Sequence, residues 1–583
     1  LRRNSIDELE DVSYVTRSTY AKTLGLYDLM GLDIKRDQFR HLEKMQVSRR
    51  IKARQQQRRQ SMDEEGGGGG GDHDHDHDHD HDATAALDAD ALIEETLSDL
   101  EKTSVAQTYF TFFKSFIGIG ILALPHGFYL AGYIGGPAGM VLVSLISYYC
   151  MLMLLDCRDL VVAQVRAGTV NPNFLPAEIR EDEAAKGDLA TFARDGQLKI
   201  TYSDIGRAAM GSLGAKLVDF AIVSSQMGFS TAYLIFIGSN VQSALASCGG
   251  SAMWALIAAA LVCPLVWLRS LRKLAFGAIF ADAAILFGLV VILGFAFGQM
   301  AGGGGGSSAL PSVVVAGGTA PSSAAAEVGD TPAAAAASTI PPGDPAVPFG
   351  SSPFLFFGMA VFAFEGAGII LPMQQAMREP SEFKPILRNG MLVITTLYLV
   401  FPLLTYVAWG SAIQDMVTAN LPQRAPIVIT VELLYCAGLF LTFPIMMWPA
   451  VQILEGSRLF RALDCCSVGG GGGGGSGGRV QSIVFRTLLV AVVSLAAVCI
   501  PKFGLFVGLI GCLSCSMLAF ILPALFSLKL DSSERSRPLR WFMVGFGVIG
   551  GGISFIVTIV ELIEAVAKDA EAGGGAAGGS GPC

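Results

Sequence analysis

From residue 107 onward the chain alternates long apolar runs with polar connections. Eleven runs stand out, at about 107–130, 134–156, 217–245, 252–268, 275–299, 351–375, 388–412, 427–452, 483–500, 503–528 and 541–566. Each has the length of a membrane-crossing helix, not of the roughly ten-residue strands of an outer-membrane barrel. The pattern predicts an all-α integral membrane protein with eleven transmembrane helices in a domain spanning 107–566. Ahead of it, residues 1–106 are polar and read as a disordered cytoplasmic tail. That tail holds a basic segment from Ser48 to Gln60 and an alternating His-Asp repeat from Asp72 to Asp82. Three low-complexity stretches read as flexible: a non-cytoplasmic loop at 301–347 without a Lys or Arg, a cytoplasmic Gly-rich insert at 467–479, and a non-cytoplasmic C-terminal tail at 567–583.

Two runs interrupt themselves. The first contains FFKSFIGIGILALP, Phe112 to Pro125, with Gly118 and Gly120 two apart at its centre. Each glycine weakens a helix by about 1 kcal/mol relative to alanine. A bilayer tolerates the backbone groups such a break would free only where they line a protein cavity. Taken alone, the window reads equally well as close helix packing through small residues. The sixth run repeats the oddity: FLFFGMAVFAFEGAGIILP, Phe354 to Pro372, places Gly366 and Gly368 two apart beside Glu365 and also ends in Leu-Pro. Two glycine-interrupted spans five apart, and so opposite in direction, point to an inverted repeat with a substrate site near mid-membrane.

Composition and charge agree with a membrane protein. Only 16% of the 583 residues are charged and 52% are hydrophobic, against about 25% charged in soluble domains. With the tail inside, the cytoplasmic connections hold nearly all the Lys and Arg, among them Arg158, Arg207, Lys216, Arg269, Arg378, Arg388, Arg479 and Arg540. The opposite side holds Arg424, Lys502 and Lys568. This asymmetry predicts a cytoplasmic N-terminus and a lumenal or extracellular C-terminus. The eleven cysteines lie mostly in apolar runs and read as small apolar residues, the pair Cys512 and Cys515 included.

Five stretches carry a resemblance: KSFIGIGILALPHGFYLAG from Lys114, VDFAIVSSQMGFSTAYLIFIGSNV from Val218, FGMAVFAFEGAGIILPMQQAM from Phe357, NLPQ from Asn420 and GLFVGLIGCLSCSMLAFILPAL from Gly504. In these the chain resembles the amino acid/auxin permease family, and within it the proton-coupled amino acid transporters and their vacuolar relatives. The resemblance implies a LeuT-like fold: two inverted five-helix repeats plus one extra helix, with substrate between broken helices 1 and 6. It also implies a vacuolar or lysosomal membrane ahead of the plasma membrane. One position departs from it. Animal proton-coupled members often carry a histidine three residues before the lysine matching Lys114, and here Thr111 stands there.

An amino acid zwitterion needs donors for its carboxylate and acceptors for its ammonium. Backbone N–H groups over Gly118, Ile119, Gly120 and Ile121 can supply donors, aided by a half-helix N-terminus. Carbonyls around Phe362, Ala363 and Phe364, with Glu365 and Gly366 beside them, can supply acceptors, and Phe364 is expected to form one wall of the side-chain pocket. Gln226, Ser230 and Tyr233 on span three and Thr442 on span eight are further contacts, each equally readable as an interhelical hydrogen bond. Lys114 and Asp282 both sit about 10 to 14 Å from the cytoplasmic end at 1.5 Å per residue, and are expected to pair as part of a cytoplasmic gate. Snorkelling by Lys114 is the other reading. Glu365, beside the break, is the expected proton acceptor, since burial favours a neutral carboxyl.

The reading that follows is a secondary active transporter of small amino acids, proton-coupled, with sodium as the other coupling ion to test. The expected partners are the amino acid, the coupling ion and the lipid bilayer. No nucleic acid, obligate protein partner, cofactor or bound metal is expected. A nutrient-sensing transceptor signalling through the tail stays open. A metal-ion carrier would need His or carboxylate ligands within the spans, and His126 is the histidine near the membrane. No nucleophile-base set speaks for an enzyme.

Overall fold

The computed structural model describes residues 102–167, 200–245, 250–268, 275–302, 346–457, 460, 477–500, 502–531, 533–534 and 536–575. The basic segment, the His-Asp repeat, the Gly-rich insert and most of the 301–347 loop lie outside the described residues. The chain divides into two units, one of residues 1–107 with 376–380, the other of 108–375 with 381–583. Within the smaller unit, the Thr103 N–H donates to Ala376 O at 2.7 Å and the Arg378 N–H to Thr103 O at 3.1 Å.

The helices follow the apolar runs. They are α1 Val105–Phe116, α2 Leu124–Ala131, α3 Gly135–Arg166, α4 Tyr202–Leu245, α5 Ser251–Val266, α6 Ala275–Gly302, α7 Pro353–Ala363, α8 Ala367–Ala376, α9 Phe383–Trp409, α10 Pro426–Glu455, α11 Gly477–Cys499, α12 Phe503–Leu530 and α13 Arg537–Gly575. Among the described residues nine helices are long and apolar enough to cross a membrane, with α7 and α8 counted together. Two of the eleven expected spans fall outside that number. The first is split into α1 and α2. The fourth, α5, has 16 residues, a rise of about 24 Å against a hydrocarbon core of about 30 Å.

Helix α4 starts fifteen residues ahead of the apolar run that predicted it. A reciprocal cap begins it: Thr201 Oγ1 accepts the Asp204 N–H at 3.2 Å, and Asp204 Oδ2 accepts the Thr201 N–H at 3.0 Å. A kink at Gly211, at φ 66° and ψ −149°, then turns this polar first turn into the apolar span. Only glycine takes that backbone without strain. Asp219 beyond the kink accepts the Ser203 hydroxyl before it, tying the two arms.

Helix α4 packs most extensively on α10 and then α5, while α6 lies against α10. A buried ion pair clamps this group at one end. Arg486 of α11 is 4% exposed and grips Glu455 of α10 with two bonds, Nε to Oε1 at 2.8 Å and Nη2 to Oε2 at 3.1 Å. Its Nη1 donates to Val266 O and Leu268 O at the end of α5, and the Trp448 ring lies 5.3 Å from its Cζ. Removing one partner leaves the other charge buried alone. Arg486→Met is expected to destabilise the protein by about 3 kcal/mol or more, and the double variant Arg486→Met/Glu455→Leu by clearly less. Unfolding midpoints in one detergent check both.

Candidate functional site

The first break forms where glycine weakens the helix and proline cannot extend it. The Ile117 N–H closes the last turn of α1 on Phe113 O at 2.9 Å, and Gly118 then runs extended, at φ −128° and ψ −167°. A single 3₁₀ turn, Ile119–Leu122, follows, opened by the Ile121 N–H on Gly118 O at 3.3 Å. Helix α2 starts at Leu124 with Pro125, which has no N–H to donate. The N–H groups of Ile119 and Gly120 stand ahead of the first bond of that turn and find no acceptor inside it.

In the sixth span, α7 stops at Ala363 and α8 begins at Ala367. The Phe364 N–H reaches Ala360 O at 3.2 Å, the Glu365 N–H reaches Phe362 O at 3.3 Å, and the Ile369 N–H reaches Gly366 O at 3.1 Å. Of the expected acceptor carbonyls, Phe362 is thus partly engaged already.

The two breaks meet through reciprocal contacts. A Cβ at Gly120 would lie 3.0 Å from Cδ1 of Phe362, and one at Gly366 would strike the ring of Phe116. Each broken span therefore lends a phenylalanine to a glycine of the other. Phe229 of α4 stands edge-on to Phe362, centroids 4.8 Å apart at 89°. From α9, the Tyr398 hydroxyl donates to Phe116 O, a carbonyl released by the first break, and its ring packs on Phe364 at 5.3 Å. Two glycines differ: nothing lies within 4 Å of where a Cβ would sit at Gly118 or Gly368. Both are partly accessible, as is Glu365, although all three lie inside broken spans. Gly118 has an ordinary extended backbone and no close neighbour. What glycine keeps there is open space.

Polar groups gather on two sides of the breaks. Lys114 Nζ, one turn before Gly118, lies 3.5 Å from Asp282 Oδ2 of α6. Tyr233 of α4 is within electrostatic reach of Asp282, and its hydroxyl pairs with Thr442 of α10, which itself donates to Gly438 O at 2.9 Å. Lys114, Asp282, Tyr233 and Thr442 thus form a string across α1, α6, α4 and α10. The Glu365 carboxyl faces the N–H of Gly368, and its Oε2 is shut from solvent without a hydrogen-bond partner. Tyr202 and Cys515 lie within its electrostatic reach. Cys512 and Cys515 are free thiols. They sit in a stretch of α12 wound as π-helix over Gly511–Cys515 and Met517–Ile521, which packs beside α7 and α4. Such widened turns often occur at functional sites.

Other expected residues lie apart. Phe364 is completely enclosed against Tyr398, so it does not stand as a wall of the open space, and the aromatic side chain over Gly120 is Phe362. The Ser230 hydroxyl is used within its own helix, on Gln226 O at 2.9 Å. Among the described residues no hydrogen bond links the Gln226 side chain to either break. His126 Nε2 lies 3.4 Å from Asp415 Oδ1. No three His, Cys, Asp or Glu side chains gather as a metal-holding group among the described residues. Phe116, Phe229 and Tyr398 have no signal in the local pattern that marks them as parts of the site.

Comparison with known proteins adds the family. A model described as "Transmembrane amino acid transporter protein" matches residues 101–170 and 188–564. "Amino acid transporter ANT1" of Arabidopsis thaliana is 31% identical over 434 residues, 74% of this chain and 85% of that protein. "Amino acid transporter AVT3B" of the same plant is 28% identical, over 77% of this chain and 90% of its own length. "Vacuolar amino acid transporter 4" of Saccharomyces cerevisiae (strain ATCC 204508 / S288c) is 25% identical, over 75% of this chain and 54% of its own length. Since the family match runs through nearly all of the helical part, the chain belongs to the transmembrane amino acid transporter family, as a multi-pass membrane carrier and not an enzyme.

Proposed function

We propose that this protein moves small amino acids across a membrane by alternating access, coupled to protons, with the substrate held between the breaks at Gly118–Gly120 and Phe364–Gly368. The carrying observation is that each broken span keeps one glycine with open space beside it, Gly118 and Gly368, while the spans fill each other's remaining glycines, Gly120 and Gly366, with phenylalanine rings. The substrate carboxylate takes the unsatisfied N–H groups of Ile119 and Gly120, where the positive end of a short helix favours it. The ammonium takes the Ala363 and Phe364 carbonyls, with the Glu365 carboxyl beside them. Phe362, braced by Phe229, limits the side chain to a small one.

Lys114 and Asp282 serve as a gate one turn from the site, open when the pair separates. Glu365 carries the coupling proton: protonation removes its charge and frees the Gly368 N–H, so substrate and proton bind in one geometry. The fold proposed is the eleven-helix, five-plus-five inverted repeat with one extra helix, the N-terminus cytoplasmic. The vacuolar membrane is proposed from the name of the yeast relative, a vacuolar amino acid transporter.

Uptake by liposomes holding the purified protein, across an amino acid panel under imposed pH and sodium gradients, tests the reading. Concentrative uptake of small amino acids driven by the pH gradient is expected, and sodium-driven uptake alone would replace the proton. In the same assay Gly118→Leu is expected to lose about tenfold or more of its uptake at normal abundance, because its side chain enters open space. Gly366→Leu loses abundance as well, because it displaces Phe116. With Glu365→Gln, uptake no longer rises as the substrate side is acidified. For the gate, Lys114→Met and Asp282→Asn should each slow uptake, and the double variant should be no slower than the worse single one.

A further inference from the structure

Besides Glu365, a second buried carboxyl stands unused. Glu432 lies on α10 six residues past Pro426, about 9 Å along the helix. It is 1% exposed, and its Oε2 has no hydrogen-bond partner among the described residues. The carboxyl faces the side chain of Gln423 in the loop before α10. The N–H groups of that amide are committed, to Thr418 O at 3.1 Å and Leu421 O at 3.0 Å, and its oxygen accepts the Ser243 hydroxyl of α4 with one lone pair. Nearby donors are engaged too. Asn240 of α4 donates to Phe236 O at 2.8 Å, Asn420 to Ala412 O at 2.8 Å, and the Tyr435 hydroxyl to Ile285 O at 3.0 Å.

Among the described residues no cation answers it either. Helix α5 carries no charged residue, α6 carries Asp282, which meets Lys114, and the charges of α4 (Asp204, Arg207, Lys216, Asp219) all lie in its first half. In the loop, Arg424 is exposed and Asp415 meets His126. The titratable group within reach is Cys436, one turn along the same helix. A carboxylate here would be a buried charge without a counterion or an uncommitted N–H, the costliest state for such a group. One proton from the aqueous phase converts it to a neutral carboxyl. The new O–H can donate to the Gln423 oxygen, which has a lone pair left beside the Ser243 bond.

We infer that Glu432 is a proton-binding site separate from the substrate site, linked to it through α4 and α10. The link is physical. Ser243 and Gln423 join the end of α4 to the loop before α10; α4 also carries Phe229 to Phe362 at the break, and α4 and α10 carry Tyr233 and Thr442 toward Asp282, the partner of Lys114. Loss of the proton would push the Gln423 bonds apart and loosen that joint.

The structural half of this inference does not rest on transport, so its test has two readouts on the full chain in liposomes. Infrared difference spectra across a pH titration should show a protonated-carboxyl C=O band that Glu432→Gln removes, Glu365→Gln keeps and Glu432→Asp shifts. Reversal potentials under combined proton and amino acid gradients should give a lower proton-to-substrate ratio for Glu432→Gln. An unchanged infrared titration in Glu432→Gln, or a band that responds to sodium at fixed pH, would overturn the site. If the band behaves as expected but the ratio does not change, the coupling role fails. If Glu432→Gln cannot be produced, Glu432→Asp decides by whether its band and titration shift. Absence of amino acid flux in the wild type would sink the proposed function and leave the infrared result standing.

Discussion

A helix that stops inside a bilayer releases carbonyls and N–H groups that hydrocarbon cannot satisfy. This constraint governs the arrangement around both breaks. At the first, the Tyr398 hydroxyl reaches across from α9 to the Phe116 carbonyl, while its ring meets Phe364 of the other broken span edge to face. One side chain thus satisfies a group freed by one break and packs against the residue that ends the other. The phenylalanines then close the rest, Phe116 over Gly366 and Phe362 over Gly120. With those groups and surfaces occupied, the N–H groups at Ile119 and Gly120 and the space beside Gly118 are what the proposed substrate site draws on.

The surrounding helices fall into two kinds of contact. Around α4, α5, α10 and α11, a buried arginine with four short hydrogen bonds and a second network at Gln423 fix the helices at opposite ends. The broken spans have no bidentate ion pair among the described residues. They meet α4 and α9 through aromatic edges and the Tyr398 hydroxyl, while Lys114 reaches Asp282 of α6 at 3.5 Å and His126 reaches Asp415 at 3.4 Å. A bidentate ion pair holds its helices in a narrower geometry than an aromatic edge does, and the proposed cycle has the broken spans shift against that frame.

How much of this is legible in the sequence follows the range of each interaction. The two breaks are legible because glycines inside an apolar run conflict locally with helix formation, and Pro125 and Pro372 confirm the conflict a few residues on. The ion pair between Lys114 and Asp282 is legible from depth, since two intramembrane charges of opposite sign at one level have few other partners. Tyr398 is not legible, because nothing in its own helix requires it and its partner is 282 residues away. Phe364 misleads for the same reason. Its position beside the break suggests exposure to a ligand, but tertiary packing turns it into Tyr398 and brings Phe362 forward. The early start of α4 depends on a cap and a positive-φ glycine, which hydrophobicity does not register.

Charge economy gives the last step. The described membrane-embedded part holds few carboxyls, and they fall into two groups. Asp282 and Glu455 have cations beside them, Lys114 and Arg486. Glu365 and Glu432 have no cation beside them among the described residues; each keeps one oxygen without a hydrogen-bond partner there and lies against an amide, the Gly368 backbone or the Gln423 side chain. A paired carboxylate keeps its charge and serves as an anchor or a latch. An unpaired one can lose its charge only by taking a proton, and in losing it changes what its amide neighbour can bond. The first group suits a frame and a gate, and the second suits a carrier whose cycle responds to protons on either side of the membrane.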